Sequence, residues 1–314
     1  MDKIWLKNYQ AGVVEDGPET GSSTGISLGY QFDDVGNLAI LRDGKQTQTL
    51  RRYQYDGLNR LINVKNSGDV LQQQYSYDRT GNRLSSGESI ETVVGESCSA
   101  GPEGPCSGPS IPIVTTEWKT QTYTYATSSH HMTSAGVLQH GYDTAGNLVS
   151  ASDPSNASGP GQQYGYSAAN RMSSANGADY AYTGTGERVG KGGEYSVYDA
   201  VGRWLGDYDV SGVPILQVIW LGDLMVGVLR MNTAVVANEL YYVEPDALGT
   251  PRVVIDPARG SSGTVVWRWD MTGAPFGNHL PEQDPDQDGT AFVFDARFPG
   301  QQYDSVTGLN YNYY

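Results

Sequence analysis

A tyrosine-aspartate phrase recurs along this chain and constrains its fold more than any other feature. Its clearest copies are Tyr53-Gln54-Tyr55-Asp56-Gly57-Leu58-Asn59-Arg60-Leu61 and Tyr75-Ser76-Tyr77-Asp78-Arg79-Thr80-Gly81-Asn82-Arg83-Leu84. Looser copies begin at Tyr30, Gly141, Tyr164, Tyr180 and Val197. Self-similarity at a spacing of about two dozen residues or fewer marks a repeat architecture, in which each unit completes its core only by packing on its neighbours. Tyr-x-Tyr has the period of a strand, so both rings fall on one face of a pleated surface that suits them. Asp followed three residues later by Gly predicts a type I turn, with Asp bonding its own backbone and Gly leaving at positive φ. Asn59 in the Gly position is the next most tolerant residue there and supports the same turn. Short apolar runs such as Leu38-Ala39-Ile40-Leu41 and Leu61-Ile62-Asn63-Val64 follow as the returning strands. The expected fold is therefore all-β, a continuous and strongly curved antiparallel sheet of short hairpins with Asp-x-x-Gly turns along its rims.

This pattern resembles the YD repeats of Rhs proteins, a group that also includes the C components of bacterial Tc toxins and the animal teneurins. The tail carries the more specific part of the resemblance. It runs from Tyr241-Tyr242-Val243-Glu244-Pro245-Asp246-Ala247-Leu248-Gly249-Thr250-Pro251-Arg252 through Val266-Trp267-Arg268-Trp269 and Phe276-Gly277. It then continues as Arg297-Phe298-Pro299-Gly300-Gln301-Gln302-Tyr303-Asp304 and Thr307-Gly308-Leu309-Asn310-Tyr311-Asn312-Tyr313-Tyr314, and this ordered set is similar to the Rhs core. The chain departs from that core where a His usually precedes the Asp-x-Leu-Gly-Thr-Pro phrase, because Glu244-Pro245 stands there and no role carries over.

The resemblance implies three regions: lead-in strands over 1–29, YD repeats over 30–239 with loop insertions near 85–117 and 151–162, and a core-like segment over 240–314. It implies a spiralling sheet forming part of a hollow β-cocoon, a shell that encapsulates a C-terminal toxic effector and helps deliver it. Family members continue into a self-cleavage region and a variable toxin, so the expectation is a wall segment without its payload. The implied partners are the toxin domain, the remaining shell segments and a secretion machinery, and the implied location is secreted or cell-surface, by a specialised export system. A second function stays open on the residues alone. Tyr-rich sheet faces with neighbouring Asn, Asp and Arg also suit carbohydrate stacking, which would make the chain an adhesive, carbohydrate-binding module.

Composition narrows the remaining classes. A net charge of -15 excludes nucleic acid and anionic lipid as expected partners, since both need clustered Lys and Arg. No apolar run is long enough to span a bilayer as a helix, and Met1-Asp2-Lys3-Ile4-Trp5-Leu6-Lys7 lacks the apolar core of a signal peptide. Enzymatic signals are weak, and no catalytic residue or required cofactor is expected. Gly25-Ile26-Ser27-Leu28-Gly29 matches the nucleophile-elbow string, but a YD strand follows where that motif needs a helix. His130, His131, His140 and His279 have no acidic or Cys partner at ligand spacing.

Two constellations remain. Asp284-Pro285-Asp286-Gln287-Asp288-Gly289, with Asp295 further on, has the alternating carboxylates and the Gly of a calcium loop. Calcium would act there as a structural ion; against it stand the lack of flanking helices and the shortness of Asp295 for a closing bidentate ligand. The Gly- and Pro-rich stretch Gly95 to Pro109 reads as a surface loop and holds both cysteines, Cys98 and Cys106. A disulfide is favoured over two free thiols, because an exported shell meets an oxidising compartment and no other cysteine competes.

Overall fold

The computed structural model describes residues 13–16, 26, 28–43, 48–97, 111–156, 159, 161–232 and 237–312. Cys98, Cys106 and Ser27 lie outside the described residues. The described chain is all-β. It opens with β1 (Val13–Asp16), β2 (Leu28–Phe32), β3 (Leu38–Asp43), β4 (Gln48–Tyr55), β5 (Leu61–Lys65) and β6 (Leu71–Tyr77). A longer pair follows, β7 (Arg83–Ser97) and β8 (Ile111–Tyr125). Short strands resume with β9 (Met132–Ala135), β10 (Leu138–Tyr142), β11 (Leu148–Ser152), β12 (Gln162–Tyr166), β13 (Met172–Ala175) and β14 (Ala178–Tyr182). Next come β15 (Arg188–Lys191), β16 (Glu194–Tyr198), β17 (Trp204–Tyr208), β18 (Pro214–Leu221) and β19 (Leu224–Asn232). The sheet ends with β20 (Ala237–Pro245), β21 (Pro251–Asp256) and β22 (Thr264–Arg268), and a separate hairpin, β23 (Gln301–Asp304) and β24 (Leu309–Asn312), closes the chain.

The 22-stranded sheet is a meander in which each strand pairs antiparallel with the next in sequence, and it is not closed into a barrel. The turns explain why. Asp56 Oδ1 accepts the amides of Leu58 and Arg60 at 2.9 and 3.0 Å, and Asp78 Oδ1 accepts those of Thr80 and Asn82 at 2.9 Å each. Asp143, Asp199, Asp209 and Asp246 repeat the arrangement. The fourth turn residue lies in the left-handed region, with Gly81 at φ 97° and Asn59 at φ 60°. A type I turn leaving through such a residue forms a bulge, and the register shifts at Gln54/Tyr55, Ser76/Tyr77, Gly141/Tyr142 and Val197/Tyr198. Each bulge increases local twist, and its repetition curls the sheet.

The second tyrosine of the phrase links neighbouring units. Tyr55 Oη donates to Leu38 O at 2.9 Å, Tyr77 to Leu61 O at 2.8 Å, Tyr125 to Arg83 O at 2.9 Å and Tyr142 to Met132 O at 2.9 Å. Every acceptor is the first residue of the preceding unit's return strand. Trp220 Nε1 does the same to Trp204 O at 2.8 Å, so an indole takes the phenol's place in β18. The first tyrosine packs inward: Tyr75, Tyr123, Tyr164 and Tyr180 are all buried.

The stretch near 85–117 differs from its expected role as a loop insertion. Residues up to Ser97 and from Ile111 belong to the β7–β8 ribbon, whose β-branched Thr92-Val93-Val94 and Val114-Thr115-Thr116 favour strand. Pro112 is tolerated because, among the described residues, β8 has no second partner at that end, β9 pairing with Tyr123 to Tyr125.

Tyr77→Phe removes one linking hydroxyl and strands Leu61 O, which should cost about 1 kcal/mol in urea unfolding. Acid should weaken the turns together. Desolvation acts upward on Asp78, but hydrogen bonds from Thr80 and Asn82 outweigh it and hold the carboxyl at about 2, below its ordinary 3.8. The Arg60 side chain lowers Asp56 and the Asn147 side chain lowers Asp143. Folded-state values lie below unfolded ones, so the stabilisation is full above about pH 4 and is lost as pH falls towards about 2. Melting temperature should drop through that window, and less steeply in Asp78→Asn.

Candidate functional site

The chain after β22 leaves the sheet and runs back across its inward face as a strap from Trp269 to Asn312. Trp269, Phe292, Phe294 and Phe298 are the apolar residues that hold it there. Phe294 stacks on Trp204 at 6.3 Å and meets the edge of Trp267 at 5.3 Å, while Phe292 lies 4.7 Å from Tyr241. Trp267 and Trp269 are fully buried, and Val228, Val243 and Val254 complete the same core. Aromatic burial on this scale dominates the local energetics.

The strap also touches the opposite end of the sheet. Tyr30 Oη of β2 lies 3.8 Å from Met271 Sδ, and Arg51 of β4 donates to Thr272 O at 2.8 and 3.1 Å. Phe276 meets Tyr75 edge-on at 5.0 Å. Strands β2, β4 and β6, at the start of the meander, are thus brought onto the segment that follows its last strand, β22.

Charged groups fix the strap's register. Arg188 Nη1 lies 2.7 Å from Asp304 Oδ2 with both side chains buried, and Tyr311 Oη accepts the Arg188 amide at 2.8 Å. Asn176 Nδ2 donates to Val306 O at 2.8 Å. A second buried pair, Arg252 Nε to Asp246 Oδ2 at 2.9 Å, ties the Asp246 turn to β21. Arg297 is 2% exposed and, among the described residues, has no acid within ion-pair distance. Its Nη1 donates to Phe294 O and Ala296 O, and its guanidinium lies over Tyr303 at 4.7 Å and Trp269 at 5.5 Å. Burial pulls its pKa down, opposed by the charges of Asp295 and Tyr303. Beside these groups, a cavity of about 230 Å³ opens between the strap and β16–β21, lined among others by Tyr198, Arg203, Trp220, Leu248 and Phe298.

The expected calcium ligands separate. Asp284, Asp286 and Asp288 come together, with one ligand atom from each within 4.8 Å of the others. Asp295 goes elsewhere, with Oδ2 3.8 Å from Lys191 Nζ of β15, and burial raises its pKa. Arg259 already supplies a cation to the cluster, at 2.5 Å from Asp286 and 3.0 Å from Asp288. Asp284 is spent on the loop itself, accepting the amides of Asp288 and Gly289. The alternating spacing was visible in sequence; the distant Arg259 was not. A calcium titration of the melting temperature chooses between the two cations: a rise that Asp286→Asn with Asp288→Asn abolishes assigns the metal, and equal melting in calcium and chelator assigns Arg259.

Sequence reasoning missed Arg188, Asp304, Arg252, Asp246 and Arg297 as anchors, although Arg297 and Asp304 begin and end the quoted Arg-Phe-Pro-Gly-Gln-Gln-Tyr-Asp phrase. Of the histidines, His131 stacks on Tyr142 at 4.5 Å and His279 accepts the Trp269 indole through its carbonyl, which are packing roles.

The sequence matches no family model and no curated protein. Among solved structures 33 chains match. One belongs to a structure of the Photorhabdus luminescens Tc holotoxin pore, at 16% identity and a TM-score of 0.37, with 92% of this chain and 16% of that chain covered. The likeness to a Tc toxin component is distant, and this chain spans 16% of that chain's length.

Asp304→Asn should cost about 3–5 kcal/mol, because it leaves the Arg188 charge buried without a partner. Arg188→Met with Asp304→Leu should recover most of that loss, and chemical denaturation of the three proteins measures both.

Proposed function

We propose that this chain is a wall segment of an Rhs-type toxin shell, which encloses a C-terminal toxic effector and helps deliver it. The observation that supports this reading most directly is the strap: a long hairpin sheet curls until its early strands β2 and β4 contact Met271 and Thr272, which follow its last strand, and its aromatic face is covered by the chain's own tail. A curled sheet whose apolar face is covered by its own tail suits one stretch of a longer enclosing surface. In this reading the wall is not an enzyme and needs no cofactor, its partners are the enclosed domain and the flanking wall, and it acts outside the producing cell or at its surface after specialised export.

The carbohydrate-binding reading is favoured by two tyrosines that face solvent, Tyr195 and Tyr242, each about half exposed. Such rings can stack on sugar faces. The two readings part under limited proteolysis of the natural protein where it continues past residue 314. A downstream domain that resists protease while the wall is intact, and is cut in Asp304→Asn, supports the shell. A downstream domain that is digested freely, together with saturable glycan binding lost in Tyr195→Ala with Tyr242→Ala, replaces it with the adhesive module.

A further inference from the structure

Arg83 and Arg188 hold the same place in two repeats. Each opens the strand returning from a Tyr-x-Tyr hairpin, and each pairs in register with the second tyrosine of that hairpin, Tyr77 for Arg83 and Tyr182 for Arg188. Each guanidinium lies over the first tyrosine, at 5.9 Å from Tyr75 and 5.4 Å from Tyr180. The strap lays a second aromatic ring against each, Phe276 at 5.0 Å and Tyr311 at 4.3 Å. Tyr123 adds a third ring for Arg83, at 4.7 Å. There the parallel ends. Arg188 is neutralised by Asp304 at 2.7 Å, whereas Arg83 faces a cavity of about 280 Å³ lined also by Glu88, Lys119, Tyr123 and Asn278.

Among the described residues, the Arg83 side chain has no acceptor for its N–H groups and no carboxylate within ion-pair distance. Glu88 lines the same cavity, but its register partner is Lys119. A guanidinium packed among rings is pre-oriented, and its fork of donors matches a carboxylate in two parallel hydrogen bonds. Leaving a half-buried charge without such a partner is costly, so the geometry favours a ligand that supplies one.

We propose that the Arg83 cavity is a carboxylate-binding site, which takes from an acidic side chain of an extended polypeptide what Arg188 takes from Asp304. Lys119 adds a second positive charge at its rim, and the cavity admits a side chain rather than a folded domain. The site stands on this geometry alone and does not need the shell reading; if the wall encloses a cargo, an acidic segment of that cargo is the natural source.

The test uses the 314-residue chain with ¹⁵N-labelled arginine, followed through the Arg83 Nε–H resonance. It is titrated with acetate, sulfate, and the blocked peptides acetyl-Gly-Asp-Gly-amide and acetyl-Gly-Asn-Gly-amide. Saturable shifts with acetate and the Asp peptide, and none with the Asn peptide, are expected. Tighter binding of the Asp peptide assigns the source to a polypeptide, and equal affinity assigns it to a free carboxylate ion. Calorimetry on Arg83→Lys, which keeps the charge and loses the fork, should show the Asp peptide weakened about tenfold. Glu88→Gln, which removes the competing charge, should strengthen it. Sulfate saturating as well as acetate, an Asn peptide as effective as the Asp peptide, full affinity in Arg83→Lys, or no saturation would overturn the proposal.

Discussion

The structure depends on one side-chain oxygen in most of its turns, usually that of an Asp. When Asp Oδ1 accepts two amides beyond it, the backbone between them is forced into a type I turn, and the exit through a left-handed residue inserts a bulge. Bulges at Gln54/Tyr55 and Ser76/Tyr77 lie immediately before the second tyrosine of the phrase, and those at Gln31/Phe32, Val64/Lys65 and Glu244/Pro245 lie at the equivalent place before another residue. Because the displacement recurs at one place in every unit, small local twists add in one direction and the sheet curls instead of lying flat. The Asn66 turn shows that the oxygen matters more than the charge, since its amide oxygen accepts Gly68 and Val70 at 3.0 Å in the same way.

Curl then makes possible the contacts that hold the strap. Tyr30 and Arg51 reach Met271 and Thr272 only because the strands between have turned the two ends of the sheet towards each other. The inner face divides its labour. Trp204, Trp267, Phe292 and Phe294 supply apolar burial, whereas Arg188 with Asp304 fixes where along the face the tail comes to rest. A buried ion pair stabilises little against a well-packed apolar alternative, but it penalises every register in which either charge is left alone.

The repeat was legible in the sequence because its signals are local. Tyr-x-Tyr has the strand period, Asp and Gly sit at fixed offsets in the turn, and the apolar return runs follow at once, so strands β2 to β6 and their turns can be read from short windows. The strap was not legible. Residues such as Phe292, Phe294 and Arg297 lie in a stretch with little strand and no periodicity, and their meaning comes from partners in β15 to β22 that no local pattern names. The acidic loop was legible only in part: Asp284, Asp286 and Asp288 announce themselves by spacing and do come together, while Arg259 arrives from another turn and Asp295 is drawn to Lys191. The β7–β8 ribbon was obscured by the Gly- and Pro-rich stretch at its tip, although its β-branched residues favoured strand throughout.

The tyrosine hydroxyls point backwards along the chain, from each unit to the start of the return strand before it. A hairpin emerging from the ribosome therefore finds its acceptor already made, and it secures the previous hairpin as soon as its own second tyrosine appears. The sheet can grow behind the point of synthesis through contacts of short sequence separation, which form quickly and expose few unpaired edges at any moment. Only the strap must wait, since its partners on β2 and β4 were made long before it. Assembly thus has a fixed polarity, with the sheet laid down first and the strap across its face last.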